Sequence, residues 1–241
     1  MDNLNIIHLF PDLLNLYGDC GNIKVLKKRC ELHGIEANVI AYNSSDEIVI
    51  DEADIIYLGG GKDSDQKLVC EKLQMINDKL VSYRDSDGVV LAVCGGYQML
   101  GHYTYINGEK IEGLSLCDLY TEQNDDKFIG DIAVKTSFGT VVGFENHGGR
   151  THLGEGVSSF GEVMFGNGNN GADKSEGIIY KNIYGTHLHG PLLPKNPAIA
   201  DMLISKAYER KYGRELCLAE IDDSMANMAR EAVMKENTTA K

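Results

Sequence analysis

One cysteine in this chain stands where a nucleophile would be made. Val93-Cys94-Gly95-Gly96-Tyr97-Gln98 ends a continuous apolar run and opens a helix-like segment. A nucleophile on a sharp strand-to-helix turn between small residues is a nucleophile elbow, here with sulfur in place of oxygen. The turn strains the backbone at Cys94, while Gly95 and Gly96 let neighbouring backbone pass close by. The N–H groups that open the following helix favour thiolate over thiol. An inert core cysteine has no need of two glycines at the end of a buried strand. Cys20, Cys30, Cys70, Cys117 and Cys217 lack this setting and read as structural.

A thiolate that attacks a carbonyl creates an oxyanion, which needs donors. Leu58-Gly59-Gly60-Gly61-Lys62-Asp63 follows a second apolar strand. A glycine run at the C-terminal end of such a strand exposes backbone N–H groups in the crevice where α/β proteins bind ligands. One N–H from Gly60 or Gly61, with that of Gly95, would form an oxyanion hole, each donor worth ~2.7–4 kcal/mol in the transition state. A phosphate loop is the rival reading, but Asp63 stands after Lys62 where GxxxxGK[ST] requires Ser or Thr.

The same chemistry requires a base. His187 and His189 lie in Tyr184-Gly185-Thr186-His187-Leu188-His189-Gly190, two residues apart and so on one face of an extended segment. Spacing does not choose between them. With a cysteine they could also ligate zinc, but no further Cys or His cluster completes a coordination sphere. His8, His33, His102, His147 and His152 read as surface or packing residues, although glycines flank His147.

These residues must be held by a scaffold, and the first ~100 residues supply one by alternating strand and helix. Apolar runs at Leu4–Phe10, Ala37–Tyr42, Ala53–Leu58 and Val89–Val93 read as strands. Ile23, Leu26, Cys30 and His33 mark one helix, closed by Gly34. Val69, Leu73, Ile76, Leu80 and Tyr83 mark a second, ending near Asp85. Continuous rather than alternating apolar runs predict a mostly parallel sheet covered by helices on both faces. Residues 105–186 differ: short strands at Ile129–Val134, Val141–Phe144, Val163–Phe165 and Ile178–Tyr180, between Gly/Asn-rich turns, predict an antiparallel extension. Asn196 as N-cap and Pro197 at the first turn open a helix that Gly213 closes. Ile221, Met225, Met228 and Ala232 suggest a last amphipathic helix for core or partner contact, with a frayed tail at Glu236–Lys241. No linker or repeat divides the chain, which predicts one domain over 1–241.

Composition limits the function. Lys and Arg number 23 against 36 Asp and Glu, a net charge of −13. Nucleic acid and anionic membranes call for a basic patch. The densest cluster, Lys24-Lys27-Lys28-Arg29, reads as the solvent side of one helix. No apolar run reaches the ~18 residues of a membrane span, and Met1-Asp2-Asn3 is no signal peptide start. Six scattered cysteines form neither a disulfide framework nor a zinc knuckle. The expectation is a cytoplasmic protein with reduced thiols, no nucleic-acid partner and no membrane insertion.

Taken together, Gly-Gly-Gly after one strand, Cys-Gly-Gly-Tyr-Gln after another and a late Thr-x-x-His-Gly resemble the class I glutamine amidotransferases of the CobB/CobQ type. Three outer motifs narrow the resemblance: Asn15-Leu16-Tyr17-Gly18-Asp19-x-Gly21-Asn22, Gly143-Phe144-Glu145-Asn146-His147 and His189-Gly190-Pro191-Leu192-Leu193-Pro194. They are similar to the GatD-type glutaminase subunits of lipid II isoglutaminyl synthases, over nearly the whole chain. The resemblance implies the α/β amidotransferase fold, L-glutamine as substrate, Cys94 as nucleophile and His189 as base. His187 stands where relatives carry Tyr and is taken as an aromatic lining residue. Lys127 replaces the arginine that binds the substrate carboxylate, and Gln98 is the second substrate-binding residue. Pro191 stands where many relatives place the Glu that orients the base. That acid then comes from elsewhere in the chain or from the partner, the resemblance favouring an aspartate of the partner. The partner implied is a MurT-like Mur ligase subunit, which takes the ammonia to the D-glutamate of lipid II. No cofactor is expected in this chain, ATP and Mg belonging to the ligase. Other readings are a cobyric-acid-type amidotransferase, another Cys hydrolase, or a regulatory pseudo-glutaminase.

Overall fold

The computed structural model describes residues 1–238. Its first sheet contains β1 (Asn3–Leu9), β2 (Glu36–Tyr42), β3 (Ile55–Leu58), β4 (Val89–Val93), β11 (Ile178–Tyr180) and β12 (Ile183–Thr186), in the order β11-β12-β4-β3-β1-β2. All neighbours are parallel except the edge pair β11–β12. The apolar runs are continuous because both faces are covered. Ile7, Leu9, Ile56, Leu58, Val90 and Ala92 enter one core. Their neighbours Ile6, Ile55, Tyr57, Val89, Leu91 and Val93 enter the other.

Helices α1 (Cys20–Leu32) and α6 (Pro197–Tyr212) cover the second core, with the short α5 (Leu192–Lys195) beside them. The other face carries α2 (Asp63–Gln74), α3 (Asn77–Asp85) and α4 (Gly95–Met99). The stripe from Val69 to Tyr83, read as one helix, is two: Ile76 leaves helical geometry at φ −116° and ψ 16°. Neither Gly nor Pro marks that break in the sequence. Arg29, placed on a solvent face by its neighbours, is buried and pairs with Asp201 and Asp223, at 2.5 and 2.7 Å. Asn196 precedes α6 as expected but does not cap it. Its side chain bonds Val142 N–H, Val142 C=O and Leu192 C=O, tying the helix to the extension.

That extension is the second sheet: β5 (Tyr103–Ile106), β6 (Glu109–Glu112), β7 (Leu119–Thr136), β8 (Gly139–Leu153), β9 (Gly161–Phe165) and β10 (Ser175–Glu176). Its centre is the long antiparallel β7–β8 hairpin, expected as two short strands. Phe144 on β8 exchanges both backbone hydrogen bonds with His189, just after β12, and so joins the sheets where the histidines stand. The last helix, α7 (Ser224–Thr238), touches β7, β8 and α5. Ile221 lies outside it, and Met225 and Met228 are exposed at 75% and 62%, so these methionines are not core. The helix includes Glu236–Thr238, expected to fray, and 239–241 lie outside the described residues.

Candidate active site

Cys94 follows β4 and precedes α4 with φ 49° and ψ −110°, a left-handed backbone rare for a residue with a side chain. The glycines around it answer to particular contacts. A Cβ at Gly96 would lie 2.7 Å from the carbonyl oxygens of Leu58 and Gly59, and one at Gly95 would lie 2.5 Å from the Gln66 side chain. Helix α4 is only five residues long, so its dipole contributes little. The stronger support for a thiolate is an imidazole.

His189 faces Cys94. Burial alone pushes its imidazole down, but the interactions with Cys94 and with the Asp19 carboxylate outweigh burial and lift it to about 10. The imidazole is therefore held in its protonated form beside the Cys94 sulfur. Asp19, fully buried at the start of α1, places Oδ1 at 3.5 Å from His189 Nδ1. Its Oδ2 accepts the Gly60 N–H at 2.8 Å. A carboxylate behind the ring nitrogen remote from the nucleophile selects the tautomer that leaves Nε2 to handle protons. The sequence offers no local carboxylate for that position, and the resemblance favours an aspartate of the partner. The structure puts a carboxylate of this chain there, and it is not Glu145, which lies 3.9 Å from His147 instead.

The same bond corrects one assignment. Gly60 N–H is spent on Asp19, so it is not free to hold an oxyanion. A Cβ at Gly60 would meet His189 Cε1 at 2.6 Å and both Asp19 Oδ2 and Cys94 Cβ at 3.2 Å. Gly60 is the thin spot that lets these three groups converge. Gly61 N–H and Gly95 N–H donate no hydrogen bond among the described residues, so those two remain the candidates for holding an oxyanion.

A cavity of about 580 Å³ opens over this group, and its wall includes Cys94, His189, Gly61, Gln98 and Lys127. Gly60 and Gly95 are not part of that wall. His187 is not either, contrary to its expected lining role. It is fully buried and stacks on His147, ring centroids 3.8 Å apart and 7° from parallel. His147, read from sequence as packing, is the one that reaches the cavity. Burial holds it down at about 4, so the ring is neutral and donates from Nδ1 to Gly149 C=O at 2.8 Å. Burial likewise pushes His187 well below its usual value. Tyr17, at φ 55°, also lines the cavity, its ring edge-on to His189 with centroids 5.0 Å apart and its hydroxyl bonded to Asn146. Both Tyr17 and Asp19 lie inside the motif Asn15–Asn22, which the sequence marked without assigning them roles. Among the described residues no three His, Cys, Asp or Glu side chains converge as a metal ion would require.

A cysteine on a strained turn, an imidazolium braced by a carboxylate and two free backbone donors are equipped for acyl transfer. A family model described as a CobB/CobQ-like glutamine amidotransferase domain matches residues 5–197. The chain belongs to the CobB/CobQ-like glutamine amidotransferase family. It is 44% identical over 236 residues to a Staphylococcus aureus protein named lipid II isoglutaminyl synthase (glutamine-hydrolyzing) subunit GatD, covering 97% of this chain and 96% of the relative. The Streptococcus pneumoniae protein of the same name is 40% identical, over 92% of this chain and 87% of that one. A cobyric acid synthase of Listeria monocytogenes matches 57% of this chain but only 28% of its own length, at 32% identity. Among solved structures, a glutamine amidotransferase superposes with a TM-score of 0.58 at 16% identity, over 83% of this chain and 98% of that one. The glutaminase domain of Trypanosoma brucei CTPS, with acivicin bound, gives 0.51 at 12% identity, over 91% and 98% of the two chains. At such identities these two speak for the fold of this amidotransferase alone.

Proposed function

We propose that this amidotransferase hydrolyses L-glutamine and hands the ammonia to a MurT-like Mur ligase subunit, which amidates the D-glutamate of lipid II. The observation that carries the chemistry is Cys94 and His189 together in the wall of one cavity, with the buried Asp19 carboxylate 3.5 Å behind the imidazole. The relatives' names and their near full-length coverage support the acceptor reading.

Cys94 thiolate attacks the side-chain carboxamide carbon, and the carbonyl electrons move onto oxygen, where Gly61 and Gly95 N–H receive them. As the tetrahedral intermediate collapses, the C–N bond breaks and the His189 imidazolium gives its proton to the leaving nitrogen, which departs as ammonia. The neutral imidazole then takes a proton from water, whose oxygen attacks the thioester. Collapse breaks the C–S bond, releases glutamate and restores the thiolate–imidazolium pair. Asp19 keeps the imidazole in register through both steps. Lys127 neutralises the substrate carboxylate, and Gln98 donates to the substrate from beside it. Activation of the acceptor carboxylate, with ATP and Mg, belongs to the partner.

Intact-mass analysis after exposure to acivicin tests the nucleophile. One adduct is expected, mapped to Cys94 and absent from Cys94→Ser. Labelling at Cys20 or Cys217 instead would overturn the assignment.

A further inference from the structure

We propose that Arg150 is a positioning residue for substrate recognition, its guanidinium holding residues 124–127 of β7 in place as one wall of the cavity. This deepens the reading above and rests on that wall being the side that binds the amino-acid end of glutamine.

The pairing of β7 with β8 runs without a gap from Leu119↔Leu153 to Gln123↔Gly149, and resumes at Phe128↔His147. Residues 124–127 therefore stand opposite Gly148 alone. Such an excursion gives up its ladder bonds and needs other partners to keep one shape. Asn124, Asp125 and Lys127 line the cavity, so the shape of the excursion is the shape of that wall.

Arg150 supplies the missing partners. Its Nη2 donates to Asp126 C=O at 2.6 Å, and its Nη1 to Gly148 C=O at 3.2 Å and Gly149 C=O at 3.4 Å. Its guanidinium carbon lies 3.4 Å from the centroid of the Phe128 ring. One planar cation thus touches the bulge, the residue that ends it and the strand opposite. The bulge's other side-chain hydrogen bond among the described residues, Asp126 N–H to Asn124 Oδ1 at 3.0 Å, is internal to it. Gly148 permits the close approach, since a Cβ there would stand 3.1 Å from Asn124 C=O. Both terminal nitrogens of Arg150 donate to protein carbonyls and the residue is not in the cavity wall, so it acts through the bulge. A lysine, a point charge without a plane, could not make the same set of contacts.

Two alkylating probes separate positioning from general damage. Acivicin carries an α-amino-acid end that the wall would read, whereas iodoacetamide does not. In the full chain with its partner, Arg150→Met is expected to slow inactivation by acivicin about tenfold, raise KM for glutamine about tenfold and leave kcat within about twofold. Iodoacetamide should label Cys94 at the parental rate, and Arg150→Lys should resemble Arg150→Met. Adding Arg150→Met to Lys127→Ala should cost less than about twofold further, as expected for two residues acting through one wall. Parental KM and acivicin rates in Arg150→Met would overturn the proposal, as would equal losses with both probes. If Lys127→Ala alone leaves KM unchanged while Arg150→Met raises it, Arg150 acts through Asn124 and Asp125, and the role given to Lys127 fails instead.

Discussion

At the scale of single residues, the base is the choice the structure sharpens most. His189 faces Cys94 and Asp19, while His187 lies beneath His147 with Nε2 at 3.1 Å from Thr151 Oγ1. Replacing His189 by Ala is expected to remove most glutamine hydrolysis. His187→Tyr should retain far more, since His187 touches neither Cys94 nor Asp19. Steady-state turnover of the two variants checks this, and the reverse order would place the base two residues earlier. Asp19→Asn keeps the size of the side chain but loses the charge that selects the tautomer. A tautomer error of that kind costs up to ~10⁴ in a well-studied triad. A fall in kcat of about 10²-fold or more, with KM little changed, is the expected outcome. Unchanged kcat would mean that the orienting acid lies elsewhere, as an aspartate supplied by the partner would. The histidine pair and Cys94 were legible because both sit in short glycine-flanked motifs. Asp19 was not, because it lies 170 residues from the base it braces and no local spacing connects them. His147 was missed for a similar reason: only the register of β8 brings it to the cavity.

At the scale of elements, the β4–Cys94–α4 corner and the strand β12 carry the site on buried polar groups. Glu176 on β10 is fully buried, accepting from Thr186 Oγ1 and His187 N–H, and burial lifts its carboxyl to about 8. In the unfolded chain it would titrate near its ordinary value of 4.5. Between these values the folded state holds a proton that the unfolded state has lost. This group therefore lowers stability as pH rises from 4.5 towards 8. Glu176→Gln should remove that dependence. A gain in Tm of a few °C is expected at pH 8, shrinking towards zero near pH 4, by calorimetry at both values. His8 and His147, each held down at about 4 by burial, have the opposite effect, losing stability as pH falls from 6.5. The parallel sheet and its two helix layers were readable from apolar runs. The length of the β7–β8 hairpin was not, because its bulge at 124–127 and its Gly-rich stretch at 148–149 read as loop. The break between α2 and α3 lacked any Gly or Pro to announce it.

At the scale of the whole molecule, the two sheets meet at the backbone pairing of Phe144 with His189, so the base belongs to both layers. Tyr17, 47% exposed, lines the cavity, and Ile129, 60% exposed on β7, pairs with Asn146 of the same wall. Because Asp19 is internal, the isolated chain is expected to hydrolyse glutamine measurably, with the partner adding to kcat rather than creating it. The central claim is that Cys94 makes ammonia from glutamine for use by a second subunit. It is tested most directly by amidation of lipid II in the complex containing Cys94→Ser, with glutamine or with an ammonium salt as nitrogen source. Glutamine-dependent amidation should be lost and ammonium-dependent amidation retained at the parental rate. Retention of the glutamine-dependent reaction, or loss of both, would contradict it.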